Sequence, residues 1–187
     1  MEPIRELIAV DLEMTGLQVK TDRILEIGAV RLVDGQLRDT FQTFVNPHRR
    51  IDARITELTG IRSEMVEDAP EAEEALRKFL EFAGEAPFLG HNVIFDYSFL
   101  KQCAVNHKIS LERSALDTLK IARKVLKEPE KKSLEALCGY FQIDREHAHR
   151  AVDDAKATAE LFLMLQQKYQ QQEPGLFVPK PMHYKVK

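Results

Sequence analysis

The chain has 187 residues, enough for one domain with a full core, and its 44% apolar and 30% charged content is that of an ordinary folded globular protein. Its net charge of −3 excludes a global basic field for holding nucleic acid. Any nucleic-acid role must rest on a local basic surface, bound cations or partners.

The first apolar run, Leu7 to Leu12, reads as a short buried strand. Side chains alternate along a strand, so Ile8, Val10 and Leu12 share one face while Asp11 and Glu13 share the other. Two neighbouring carboxylates repel each other and are costly to desolvate. A divalent cation removes both costs, and hard oxygen ligands suit Mg²⁺ or Mn²⁺ rather than Zn²⁺. Taken alone, the pair reads first as two solvated acids at a strand edge, because Asp-x-Glu is a common tripeptide.

A polar turn at Gln18 to Asp22 leads to a second strand, Ile24 to Val33, interrupted by Glu26 and Arg31. Asp34-Gly35 signals a hairpin, Gln36 to Val45 returns as a third strand, and Asn46-Pro47 ends it. His48 to Val66 is irregular, with a helical turn at Ile55 to Thr59 stopped by Gly60. Pro70 is expected to open a helix with the stripe Ala72, Ala75, Leu76, Phe79 and Ala83, ended by Gly84. Pro87 to Gly90 fits a short parallel strand, followed by a helix from Val93 to Asn106. Asp96 shares that helix's inward face with Phe99, Leu100 and Cys103.

Ala115-Leu116 reads as a strand running into an Asp117-Thr118 cap, with a helix to Leu126. Lys127 to Lys132 is a charged loop, and Ser133 caps a helix with the stripe Leu134, Leu137, Cys138 and Phe141. The last helix spans Val152 to Gln171, with Asp154, Thr158, Leu161 and Leu165 on one face. Residues 173–187 read as a Pro- and Lys-containing tail or linker, leaving 1–172 as the domain. The element order predicts an α/β fold: a mixed sheet of about five strands, the first three antiparallel and the first in the middle, flanked by helices. Cys103 and Cys138 lack C-x-x-C spacing and read as core thiols of a reducing compartment. The Met1 to Glu6 start lacks a signal-peptide pattern and no apolar run reaches membrane-spanning length, so a cytoplasmic protein is expected.

Four acids stand out. Asp11 and Glu13 end a strand, and Asp96 and Asp154 each begin an apolar helix face. If these ends converge they form a site for two divalent ions. His149, five residues before Asp154, places an imidazole beside it, suited to taking a proton near neutral pH. Each residue has a plainer reading: Asp96 as a dipole-favoured helix start, Asp153 in place of Asp154, and His147 or His149 as a surface histidine. Likewise His91 reads as a satisfied half-buried ring, Asp117 as a cap, and Arg123 to Lys132 as a solvated charged face interleaved with Glu128 and Glu130.

Three stretches carry a resemblance: Val10-Asp11-Leu12-Glu13-Met14-Thr15-Gly16-Leu17, His91-Asn92-Val93-Ile94-Phe95-Asp96, and His149-Arg150-Ala151-Val152-Asp153-Asp154-Ala155. In this order they resemble the DEDDh 3′–5′ exonuclease superfamily, with its ribonuclease H-like fold, over Leu7 to Leu165. Within it the chain looks most like the proofreading exonucleases of bacterial DNA polymerase III. The resemblance implies that Asp11, Glu13, Asp96 and Asp154 hold two divalent cations, Mg²⁺ or Mn²⁺. It implies that His149 takes the proton of the attacking water and that nucleoside 5′-monophosphates are released from 3′ ends. Thr15, Gly16 and Leu17 are expected at the terminal nucleotide, and His91 and Asn92 at the strand or the Asp96 turn. The implied partners are a single-stranded or frayed DNA 3′ end and a replicative DNA polymerase, with residues 174–187 as a candidate tether and no membrane. Met14 gives the Glu-Met-Thr-Gly form familiar from oligoribonucleases, so an RNA-trimming exoribonuclease is the alternative. A binding module without turnover is the third reading.

Overall fold

A computed structural model describes residues 4–186. The N-terminal Met1 to Pro3 and the terminal Lys187 of the expected tail lie outside the described residues. Three strands, β1 (Glu6–Met14), β2 (Ile24–Val33) and β3 (Gln36–Phe44), form an antiparallel meander. On the other side of β1 lie β4 (Phe88–Gly90) and β5 (Ser114–Asp117), both parallel to it in sense. The sheet order is β3-β2-β1-β4-β5-β6. β1 is therefore interior, as its apolar run demands.

The sixth strand, β6 (Lys180–Pro181), adds to the expected sheet of about five strands and comes from 173–187, which the sequence presents as a tail or linker. Lys180 and Pro181 pair with Ala115 and Ser114, and the Met182 N–H donates to the Arg113 carbonyl at 2.8 Å. Phe177 is only 2% exposed and packs on Phe162 with ring centroids 6.0 Å apart. The apolar residues that anchor this segment are scattered among prolines and charges, so no periodicity announces them. Pro181 is tolerated because an edge strand has one side without ladder bonds.

Helices cover both faces. α3 (Ala72–Ala83) and α4 (Val93–Asn106) pack on Ile8, Val10 and Leu12 of β1, with Phe79 and Leu100 fully buried between. α5 (Thr118–Val125), α6 (Leu134–Phe141) and α7 (Ala151–Tyr169) pack on Leu7, Ala9, Val30 and Leu32. Burying a Phe or Leu side chain of this kind contributes about 1.5–3 kcal/mol before entropy is counted. Two short helices, α1 (Ala53–Thr59) and α2 (Ser63–Val66), form a side cluster with Leu25 through Ile61 and Val66. Gly60 ends α1 at φ 75°, a left-handed position that favours glycine. Pro70 does not open α3. The helix starts at Ala72, and the Pro70 carbonyl instead accepts the Asn46 N–H at 2.9 Å.

The N-terminus of α7 lies directly on β2. A Cβ added at Gly28 would fall 2.2 Å from the Val152 nitrogen, so only glycine lets helix and strand approach this closely. This crossing sets where the first turn of α7 stands relative to the end of β1.

Candidate active site

Asp11 and Glu13 project from the α7 side of β1 at its C-terminal end. Leu12 between them turns inward, and its backbone N–H donates to Asp96 Oδ1 at 3.1 Å. That bond brings the first turn of α4 to the strand end. Asn92 caps α4 in the left-handed region at φ 62°, and its N–H donates to Asp117 Oδ1 at 2.9 Å. The same Asp117 oxygen accepts the Leu119 N–H, so Asp117 is a cap joining two helix starts, as its plainer reading held.

Asp154, in the first turn of α7, comes from the other direction. Asp11, Glu13 and Asp154 each offer an oxygen within 4.8 Å of the other two. Asp96 adjoins them through the Leu12 amide. After burial, its charge is the largest influence on Asp11. The neighbouring Asp153 faces His147 instead, 3.6 Å away at the surface. So the structure gathers all four acids at one end of the sheet and leaves Asp153 outside.

The electrostatics are those of crowded, buried carboxylates, of which Asp154 is paired with Arg145. Burial, then Asp96, Glu13, Asp154 and Glu26, push the Asp11 carboxyl well above its ordinary range. Glu13 is raised to about 9, by burial first and then by Asp154, Glu26 and Asp96. Asp96 rises to about 7 through burial, although the Leu12 amide and its own backbone pull it down. Burial also raises Asp154, against the opposing pull of Arg145 and His149. The Asp11 Oδ2 atom is buried with no hydrogen-bond partner among the described residues. Converging hard oxygens, raised carboxyls and an unpartnered buried oxygen fit a divalent cation.

His149 is half-buried in the turn before α7, at φ 64°, beside Asp154. At the other rim, Thr15 closes a latch. Its hydroxyl donates to Asp22 Oδ1 at 2.9 Å and accepts the Arg23 N–H at 2.9 Å, while Gln18 N–H donates to Asp22 Oδ2. A Cβ at Gly16 would strike the Asp22 carboxylate at 2.4 Å. The latch displays Leu17 at 77% exposure. Of the two readings of His91, its contacts fit the satisfied half-buried ring. Its Nδ1 meets Thr118 Oγ1 at 2.8 Å and its Nε2 meets the Lys132 carbonyl at 2.7 Å, so neither nitrogen is spare. Burial lowers its pKa, and it pins the charged loop 127–132 to the sheet. Asn92 remains exposed, with no capping bond from its side chain.

Three residues of the site were not singled out from sequence. Glu26 of β2 is 1% exposed and accepts from Ala151 N–H at 2.9 Å, Arg150 Nη2 at 2.9 Å and Gln42 Nε2 at 2.8 Å. Arg150 completes that pair over the Phe44 ring. Arg145 reaches Asp154. A charge inside an otherwise apolar strand was the available signal for Glu26. Nothing in the local pattern distinguished Arg145.

The mixed sheet, the helices on both faces and the acids at the end of its inner strand define a ribonuclease H-like nuclease. The family model described as "Exonuclease" (RNase_T) matches residues 8–162, and the chain belongs to that exonuclease family. It is 45% identical over 166 residues to the DNA polymerase III PolC-type of Caldanaerobacter subterraneus subsp. tengcongensis, covering 89% of this chain and 12% of that one. To the PolC-type polymerase of Bacillus subtilis it is 37% identical over 161 residues, 84% of this chain and 11% of that. The chain thus spans about an eighth of the first and a ninth of the second. Among solved structures, Exonuclease X in complex with 5′ overhanging duplex DNA matches with TM-score 0.72 and 26% identity, covering 87% of this chain and 92% of that. The nuclease domain of 3′hExo, a DEDDh family member bound to rAMP, shares the fold at TM-score 0.77 and 20% identity, covering 89% and 94%. Among the described residues no helix is long and apolar enough to cross a membrane.

Proposed function

We propose that the chain hydrolyses the last phosphodiester of single-stranded or frayed DNA 3′ ends, releasing nucleoside 5′-monophosphates, as the editing activity beside a replicative polymerase. The observation that carries this is the convergence of the Asp11, Glu13 and Asp154 oxygens within 4.8 Å. Two Mg²⁺ or Mn²⁺ ions would be held by Asp11, Glu13, Asp96 and Asp154, supplying neutralisation of the phosphodiester and acidification of a water. In this reading His149 accepts the proton of the attacking water, and the bond from phosphorus to the departing 3′ oxygen breaks in line. Leu17 meets the terminal base as an apolar wedge, with the Thr15-Gly16 backbone beside it. His91 and Asp117 position the Asn92 start of α4.

The PolC-type relatives support DNA as substrate and a polymerase as neighbour. RNA trimming is the second reading and rests on Met14 in the first motif. Matched 5′-labelled and 3′-labelled DNA and RNA oligonucleotides, digested with and without chelator, test the proposal. Stepwise shortening from the 3′ end, faster on DNA and abolished by chelator, is expected. Chelator-insensitive cleavage or attack from the 5′ end would overturn it.

A further inference from the structure

Basic side chains gather around the latch with little acid to match them. Residues 18–23 of the connection from β1 to β2 and residues 46–50 after β3 hold Lys20, Arg23, Arg49 and Arg50 against one acid, Asp22. The two stretches meet. Arg49 Nη1 lies 3.9 Å from Asp22 Oδ1, and Asp22 and Arg23 share the wall of one cavity with Asn46, Pro47 and His48. Asp22 is itself occupied, accepting from the Thr15 hydroxyl and the Gln18 N–H. Glu71 and Glu73, which also line that cavity, pair with His48 at 2.6 Å and Arg77 at 2.9 Å. Lys20, Arg23 and Arg50 are exposed and form no ion pair among the described residues.

Backbone bonds fix this rim relative to the acids. Thr15, two residues beyond Glu13, donates its N–H to the Arg23 carbonyl at 2.8 Å, and its hydroxyl accepts the Arg23 N–H at 2.9 Å. The Thr21 and Asp22 N–H groups both bond the Gln18 carbonyl, at 3.0 and 2.7 Å, so the turn carrying Lys20 is closed. Lys20 stands three residues from Leu17, a span of at most about 11 Å. A chain of net charge −3 has no overall field to hold a polyanion, so a local cluster of cations is the feature that can. Unpaired ammonium and guanidinium groups on a fixed turn suit phosphate oxygens, and a guanidinium meets them with two donors at once.

We infer that Lys20, Arg23, Arg49 and Arg50 hold successive phosphates of the strand being shortened, upstream of the linkage at the acids. This rests on the proposed reading that the 3′ end lies at Asp11 and Glu13 and meets Leu17, and it adds the track by which the strand arrives. Phosphate contacts carry no sequence information, which suits an activity that removes any terminal nucleotide. These side chains touch no reacting atom, so their loss should appear in KM rather than in kcat.

The test is binding of a 5′-labelled deoxythymidine oligonucleotide to the whole chain, followed by fluorescence anisotropy across a salt series, with chelator present to prevent cleavage. Three or four phosphate contacts predict that log Kd rises with log salt at a slope of about 2–3. Lys20→Gln combined with Arg50→Gln removes no latch bond. It should weaken binding about tenfold or more at low salt and lower the slope by about 1.4, while Lys20→Arg with Arg50→Lys keeps the parent behaviour. Uncharged methylphosphonate linkages near the 3′ end should cost the parent a similar factor and cost the double variant little more. The same linkages at the 5′ end, or in an annealed complement, should cost nothing. With Mg²⁺ added, KM for the oligonucleotide should rise about tenfold in the double variant and kcat should move far less. A double variant that binds as the parent does, a parent whose binding ignores salt, or a loss caused by neutral linkages in the complement would each overturn the inference. Shortening from the 3′ end that persists beside any of those results leaves the exonuclease reading standing. A chain that neither binds nor shortens the strand would sink both.

Discussion

Ala151 donates its backbone N–H to Glu26 Oε1 at 2.9 Å, a bond that spans 125 residues of chain. It ties β2 to the first residue of α7, three positions before Asp154 and two after His149. Glu26 also neutralises Arg150, so one carboxylate satisfies an orphan helix N–H and a charge together. Removing one member of a buried pair leaves the other uncompensated. Glu26→Ala should therefore destabilise the chain by about 2–4 kcal/mol, toward the low side because Arg150 retains some solvent. Denaturant unfolding measures this. With the α7 start loosened, kcat should fall much more than KM rises, and Glu26→Gln, which can still accept from Ala151, should fall between.

The raised carboxyls predict how ion-free stability depends on pH. Glu13 titrates from an ordinary 4.5 to about 9 in the folded chain, and Asp96 from 3.8 to about 7. The folded state then binds more protons than the unfolded state across that window, so stability falls as pH rises. Their contribution is fully present below about pH 4 and lost as pH climbs through 7 to 9. With chelator present, Tm should drop between pH 6 and 9 by about 2–4 °C for each kcal/mol lost. Added Mg²⁺ should restore it, most strongly at the alkaline end, with release of protons on binding. Scanning calorimetry across pH, with and without the ion, checks both. Glu13→Gln should flatten the ion-free slope, and an unchanged slope in that variant would contradict the assignment.

Replacing His149 tests the proton acceptor apart from the acids. His149→Ala should lower kcat by about 10²–10⁴-fold near neutral pH, with Mn²⁺ binding close to the parent's. Added imidazole should recover part of the rate, because the side chain sits half-open at the rim. An Asp11→Asn chain should behave differently. It should lose both turnover and ion binding, yet melt higher than the chelated parent, because one buried like charge is gone.

The C-terminal segment predicts a stability effect far from the chemistry. Phe177 is buried against Phe162. Phe177→Ala should destabilise by about 3–5 kcal/mol. Truncation after Gln172 should do at least as much and leave the β5 edge without a partner. Unfolding curves for the two variants measure it directly, and a truncated chain as stable as the parent would refute the packing argument.

Most of the candidate site could be read from residue spacing because it sits on regular elements. Asp11 and Glu13 share a strand face by alternation, and Asp96 and Asp154 occupy first turns whose apolar stripes fix their facing. Asp117 and Ser133 were legible as caps for the same local reason, and the structure shows each accepting the expected backbone N–H. What escaped depends on contacts distant in sequence. The buried Glu26 gains its meaning only from Ala151 and Arg150, 125 and 124 residues on. Arg145 lies in an irregular connection, where no period tells an inward arginine from an outward one. His91 carries two readings in the sequence because a half-buried ring has no sequence signature, and its two hydrogen bonds fix where it points. Residues 173–187 look like a linker because prolines break the strand pattern, while two residues of pairing, the buried Phe177 and the partly buried Leu176, Met182 and Tyr184 dock the segment that carries them.

The Thr15–Asp22 latch leaves the exposed Leu17 on a stiff mount. On the proposed reading of Leu17 as a wedge, a side chain held this way would meet an incoming end as a fixed blade, and the loop would give up little freedom on contact. Ends whose last base already swings free would slip past such an edge, and stacked, paired ends would first have to open.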